Sequence, residues 1–252
     1  MNTAPFPLEN IMRYPFGLNA ILASFTLLVS TFSHADVVIS GTRVIYKAGL
    51  SDVTLNINNT GKHPVLTQLW VDDGQDNTQP HKMKVPFFVT PPLSRLDPLR
   101  GQTVKISWFN QGAPLPNDRE SLYWFNVLEV PEKAGGQGNI LQLAFRTRIK
   151  LFYRPEGLTG TSGEAAHNLD WSVKEDKGKI VAHVKNSSGY FISFNNAKLV
   201  TGHGDFTLQT KMLAPKSEDD FLIENLHLRE KGVINYSTIN DFGGSQENKA
   251  VL

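Results

Sequence analysis

Seven histidines and no cysteine bound the chemistry open to this chain of 252 residues. His34, His63, His81, His167, His183, His203 and His227 are scattered, and no two stand at the spacing of a metal-ligand pair. Without cysteine there is no thiol nucleophile, no thiolate metal site and no disulfide. The glycines of AGGQG, Ala134 to Gly138, lack the strand-to-helix setting of a phosphate loop. Ser162, in GTSGEA, stands in no nucleophile-elbow pattern. The sequence therefore offers no catalytic residue, no metal site and no cofactor.

What stands out instead is suited to binding. The run NILQLAFRTRIKLFYRP, Asn139 to Pro155, alternates apolar and polar residues through Leu141, Leu143 and Phe145, then turns basic at Arg146, Arg148, Lys150 and Arg154. Period-two alternation predicts a strand. Net charge over the chain is only +1, which argues against binding nucleic acid through bulk charge. The cations matter as a local cluster. A second run, LPNDRESLYWFNVLEVP (Leu115 to Pro131), crowds Asp118, Arg119 and Glu120 before an alternating aromatic strand.

The elements that carry these runs are strands. Residues 1–35 first read as an export signal: Arg13 precedes the apolar stretch Phe16 to Val29, and Ser33-His34-Ala35 offers a small-x-small cleavage site near Ala35. That stretch is shorter than the roughly 18–20 residues of a membrane span. From Asp36 onward, VVISGTRVIYK, VTLNINNT, PVLTQLWVDD, KVPFFVTP, TVKISWF and LYWFNVLEVP are strand-like and punctuated by Gly, Pro, Asn and Asp. With the basic run as last strand they predict an immunoglobulin-like sandwich over 36–154. Beyond Arg154-Pro155-Glu156-Gly157, about six further strand-like segments predict a second β-sandwich over 155–252.

Taken in order, these segments resemble the periplasmic pilus chaperones of the chaperone–usher pathway. The carriers are Leu115, Pro116, Asp118 to Leu122, Trp124, Asn126, Val127, Val130 and Pro131, together with GTRVIY (Gly41 to Tyr46), FFVTPPLSRLDP (Phe87 to Pro98), RIKLFYRP (Arg148 to Pro155), Tyr190 to Phe194, MLAPKS (Met212 to Ser217) and INDFGG (Ile239 to Gly244). The short connection from Val130 to Asn139 and the lack of cysteine resemble the short-loop class of that family.

The resemblance implies an all-β protein of two immunoglobulin-like domains in a boomerang arrangement. It implies a non-enzymatic, nucleotide-independent role in the periplasm: binding pilus subunits by donating a strand, and delivering them to an outer-membrane usher. Leu141, Leu143 and Phe145 would be the donor side chains, and Arg43 and Lys150 would anchor the subunit's C-terminal carboxylate. Glu120, Arg154 and Asp241 would form an interdomain charge network, and Pro64 and Pro91 would face the usher. Ideal alternation sets Lys150 on the face opposite Leu141, Leu143 and Phe145, so a bulge or strong twist is expected between them. A different class of function, a secreted two-domain adhesion or ligand-binding protein, fits the same architecture.

Overall fold

Alternation in the first half of the chain converts directly into a sandwich. In DVTLNINN, Leu55, Ile57 and Asn59 are buried while Thr54, Asn56 and Asn58 face solvent. VLTQLWVD buries Val65, Thr67, Leu69 and Val71 in the same manner. A computed structural model describes residues 36–75, 79–109, 114–132 and 142–252. The expected export signal and Leu141 lie outside the described residues, as does most of the connection from Val130 to Asn139.

The first domain contains β1 (Val37–Ile39), β2 (Arg43–Lys47), β3 (Asp52–Asn59), β4 (Val65–Asp72), β5 (Phe87–Thr90), β6 (Leu93–Leu96), β7 (Gly101–Trp108), β8 (Ser121–Pro131) and β9 (Phe145–Arg154). One sheet has the order β1-β3-β7-β5 and the other β2-β9-β8-β4-β6. Consecutive strands from β1 to β8 alternate between the two sheets, and two of these crossings are tight. Between β1 and β2 the chain crosses at Gly41, whose φ of 146° a side chain would disfavour. Between β5 and β6 it crosses at Pro91-Pro92. Sequence alone made that second stretch punctuation, yet residues 93–96 form β6 against β4, because the two prolines end one pairing and the chain resumes in the other sheet. Tyr46, Ile57, Val104, Ile106, Phe125 and Leu151 are wholly inaccessible between the two sheets.

The second domain has its own core. The helix α1 (Ser162–His167) opens on a capping box between Thr161 and Glu164. It is followed by β10 (Asp170–Asp176), β11 (Lys179–Asn186), β12 (Phe194–Thr201), β13 (Gly204–Thr207), β14 (Ser217–Leu222), β15 (Val233–Ile239) and β16 (Ser245–Val251). Sheets of order β10-β11-β14 and β13-β12-β15-β16 enclose Leu199, Phe221, Ile234 and Tyr236. The polar tail forms a full last strand: β16 pairs with β15 from Ile239↔Ser245 to Val233↔Val251.

The basic run behaves less simply than its alternation suggests. It is strand only from Phe145, and Gln142 to Ala144 are not strand. Continuing the register Glu129↔Phe145 would set Leu143 opposite Pro131, which has no N–H to give. The side chain of Gln142 instead donates to the carbonyls of Pro131 (2.6 Å) and Glu132 (3.1 Å). Nor is β9 an edge along its whole length, because β2 runs parallel to it over Lys150–Arg154.

These two halves should respond differently to truncation. Leu151→Ala is expected to cost about 2–5 kcal/mol, whereas Leu143→Ala at an uncovered position should stay within about 0.5 kcal/mol. Urea unfolding of the two variants followed by tryptophan fluorescence checks this, and equal losses would show Leu143 to be core.

Candidate functional site

Parallel pairing of β2 with β9 sets Arg43 directly beside Lys150. Arg43 Nη1 donates to the carbonyl of Ile239 at 2.8 Å, and its guanidinium lies over the ring of Phe152, 5.9 Å from the centroid. Its Nε is buried with no hydrogen-bond partner. Lys150 Nζ donates to Ser193 Oγ at 3.1 Å. Among the described residues neither cation is in an ion pair. Burial lowers the pKa of both; for Arg43 the charges of Asp241 and Glu120 oppose it, and for Lys150 the charge of Arg43 lowers it further. Arg43 borders a small cleft of about 20 Å³, shared with Phe152, Phe191, Ser193, Ile239 and Asp241. Asp241 and Glu120 act on Arg43 through space from the same cleft, but both are hydrogen-bonded to Arg154; two half-buried cations with no carboxylate within ion-pair distance, one with a spare donor, can accept an anion.

The strand that carries Lys150 presents two unlike faces. Ile149, Leu151 and Tyr153 point into the first domain's core or pack against it. Phe145 shares their face by alternation but is 36% exposed, and Leu143 beyond it is 52% exposed. The other face carries Arg146, Arg148, Lys150, Phe152 and Arg154. The β8–β9 register runs unbroken from Ser121↔Tyr153 to Glu129↔Phe145. The expected bulge is therefore not present, and Lys150 stays on the face opposite Phe145 as strict alternation requires. No described strand pairs with the outer side of β9 at residues 145–149.

Glu120, Arg154 and Asp241 come together at the junction of the two domains. Arg154 donates through Nε to Glu120 (2.7 Å) and through Nη1 and Nη2 to Asp241 (2.6 and 2.9 Å), and it lies 5.0 Å from the centroid of Tyr190. Glu120 also accepts from the backbone N–H of Phe191 at 2.8 Å, and Asp241 from Ser162 Oγ at 2.9 Å. Burial pushes the Glu120 carboxyl up against the pull of Arg154. For Asp241 the penalty of burial is outweighed by Arg154, and its pKa is lowered. Ser162 thus serves as the first residue of α1 and a support for Asp241.

Pro64 lines an open apolar groove with Leu66, Val130 and Pro131, bordered by Arg95. Pro91 lies at the crossover from β5 to β6 and is not among that groove's residues. A further cluster was invisible to sequence reasoning. Asp72, at the end of β4, has a fully buried carboxylate that accepts from Asn126 Nδ2 (2.8 Å), Arg146 Nη2 (3.2 Å), Arg148 Nε (3.1 Å), Arg148 Nη2 and the N–H of Gly74 (2.7 Å). Burial alone would raise its pKa; hydrogen bonds from Arg148, Asn126 and Gly74 outweigh that and lower it. The guanidinium groups cover tryptophans, Arg146 over Trp70 (5.0 Å) and Arg148 over Trp124 (4.3 Å). The one signal was that Arg146 and Arg148 fall on the same face as Lys150.

Comparison with known proteins agrees with this architecture. The profile of the pili and flagellar-assembly chaperone PapD N-terminal domain matches residues 36–159, and that of the PapD C-terminal domain matches 164–250. The chain is 44% identical over 229 residues to the probable fimbrial chaperone YadV of Escherichia coli K12, covering 88% of this chain and 92% of that one. It is 41% identical to the chaperone FimB/FhaD of Bordetella pertussis, covering 95% and 98%. Among solved structures, the YadV chaperone superposes with a TM-score of 0.76 at 42% identity, covering 86% of this chain and all of that one. The SafB chaperone of Salmonella enterica, solved with the SafA pilin, gives 0.72 at 29% identity, covering 88% and 98%.

The hinge geometry yields a prediction. Replacing Arg154 leaves a buried carboxylate at Glu120 facing Asp241 with no cation between them, a loss of about 3–5 kcal/mol for a buried pair. Arg154→Ala is expected to loosen the two domains while each keeps its fold. Small-angle scattering and protease sensitivity at residues 154–158 test it; an unchanged profile with unchanged resistance would mean the trio does not hold the hinge.

Proposed function

The chain belongs to the family of pilus-assembly chaperones, and from that premise we propose that it captures pilus subunits in the periplasm through the adjacent cations Arg43 and Lys150 and the free half of β9. The domains divide at Arg154-Pro155, after an export signal cleaved near Ala35. The protein acts by binding and not as an enzyme, and it hands its subunits to an outer-membrane usher, with Pro64 and Pro91 on the usher-facing side.

The observation that carries the reading is a strand with an unpaired outer side and exposed apolar residues at one end, followed by Lys150, which with its neighbour Arg43 on β2 is in no ion pair among the described residues. A subunit sandwich that lacks a strand can pair its backbone with residues 145–149 by strand addition. Leu143 and Phe145, with Leu141 preceding them, then fill its groove. Burying each side chain contributes roughly 1.5–3 kcal/mol, on the order of 5–8 for the three before ordering costs. The subunit's terminal carboxylate supplies the anion that Arg43 and Lys150 lack, and its position sets the register along β9. An adhesin on the same architecture would have no use for two desolvated cations beside an open strand edge.

Affinity purification of the tagged chain from the periplasm of its own cells tests the reading, with a stoichiometric subunit lacking one strand as the expected partner. Arg43→Ala and Lys150→Ala should each remain folded and lose that partner, because the carboxylate would then be buried without a counter-charge. Leu143→Glu should also lose it, with little effect on unfolding, by forcing a charge into an apolar groove. Wild-type recovery with both cation variants would remove the anchor from the scheme. A Leu143→Glu chain that unfolds while its folded fraction binds normally would remove the donor strand.

A further inference from the structure

The free half of β9 poses a problem of its own. Residues 145–149 have β8 on one side and no described strand on the other. Their apolar face is only partly covered, since Phe145 and Leu143 lie outside the core. Core packing holds Leu151 and Tyr153 firmly but weakens toward Phe145. An antiparallel segment with one neighbour and little burial frays readily.

We propose that Asp72 is the positioning residue that keeps this half of β9 on β8 as a preformed template for the incoming strand. The inference rests on the donor-strand reading above. Asp72 lies two strands away from β9, on β4, and its carboxylate is reached across β8 by both Arg146 and Arg148. These are alternate residues of the segment that lacks an outer neighbour. Asn126 on β8, opposite Arg148 in register, completes the tie by giving its N–H to Asp72 (2.8 Å) and accepting from Arg146 Nε (2.9 Å). Trp70 and Trp124 lie beneath the two guanidinium groups and shield them from water, which strengthens the charge-assisted bonds. One buried anion thus fastens three strands together on the outer face where the inner face has no core to do so.

The arrangement also bears on Lys150. Cross-strand register puts Asp72, Trp124 and Lys150 in one row, yet Asp72 takes its hydrogen bonds from Arg146 and Arg148, and Lys150 turns to Ser193. The clamp satisfies the carboxylate without using the anchor cation.

Amide hydrogen exchange on the purified full chain tests the clamp without any partner. Asp72→Asn keeps shape but removes the charge, and the amides of residues 145–149 should exchange about tenfold faster or more. Those of 150–154 and of the second domain should keep their wild-type rates. Arg146→Gln, which leaves Asp72 paired with Arg148, should give a smaller acceleration confined to the same segment, and it decides the matter if Asp72→Asn fails to fold. Capture of the subunit that co-purifies with the wild-type chain should slow in the same order. Wild-type exchange at 145–149 in the folded variants, or acceleration spread evenly over the first domain, would overturn the positioning role while leaving the donor strand untouched. If Leu143→Glu still captures that subunit at the wild-type level, the donor reading fails, and the clamp then has no template to hold.

Discussion

The two-residue period of β9 is the constraint on which the rest of this molecule depends. A strand has two faces, and here they do opposite work. Ile149, Leu151 and Tyr153 fasten one face to the first domain's core. Arg146, Arg148, Lys150, Phe152 and Arg154 turn the other face into a row of cations and one aromatic ring. Each cation meets a different environment along that row: Arg146 and Arg148 share the buried Asp72, Lys150 donates to the hydroxyl of Ser193, and Arg154 holds two carboxylates at the domain junction. A bulge anywhere along the strand would exchange the two faces beyond it. The unbroken register with β8 is therefore a requirement of the site.

Charge compensation explains why these positions are not equivalent. Arg154 is satisfied and holds two domains at a fixed contact; it belongs to the scaffold. Arg43 and Lys150 are half-buried with no carboxylate within ion-pair distance among the described residues, a cost that the proposed subunit carboxylate would relieve. The cost is bearable because neither side chain is fully buried and each retains one neutral acceptor, Ile239 O or Ser193 Oγ. Both acceptors come from the second domain. The proposed anchor would therefore keep this arrangement only while the two domains stay in contact, which would tie the Arg154 trio to binding through geometry.

Much of this was legible in the sequence, for identifiable reasons. Alternation in DVTLNINN or VLTQLWVD translates into sheets because one face is buried and a slip of one residue would invert it. The cation row was legible because Arg146, Arg148, Lys150 and Arg154 share parity. β6 was not, since four residues between prolines and a turn carry too little periodicity to register. The Asp72 cluster was not either. Its members come from β4, β8 and β9, and only the pairing of three strands brings them within reach. The bulge or strong twist expected between Phe145 and Lys150 arose from requiring the expected donor and anchor residues to share a face; the structure has Phe145 and Lys150 on opposite faces of β9.

An open strand edge with apolar residues beside it is a standing invitation to aggregation. The molecule limits that risk by confining the open edge to about five residues, covering the remainder of β9 with β2, and loading the outer face with guanidinium groups. A second copy approaching edge to edge would bring like charges together without supplying a carboxylate to Arg43 and Lys150. A chain that ends in a carboxylate and lacks a strand meets neither obstacle. In the proposed scheme main-chain pairing gives attraction that is indifferent to sequence, alternate apolar side chains give affinity, and the half-buried cations choose the register. Selectivity would then come from the polar end of the strand, and the apolar end could remain tolerant of different grooves.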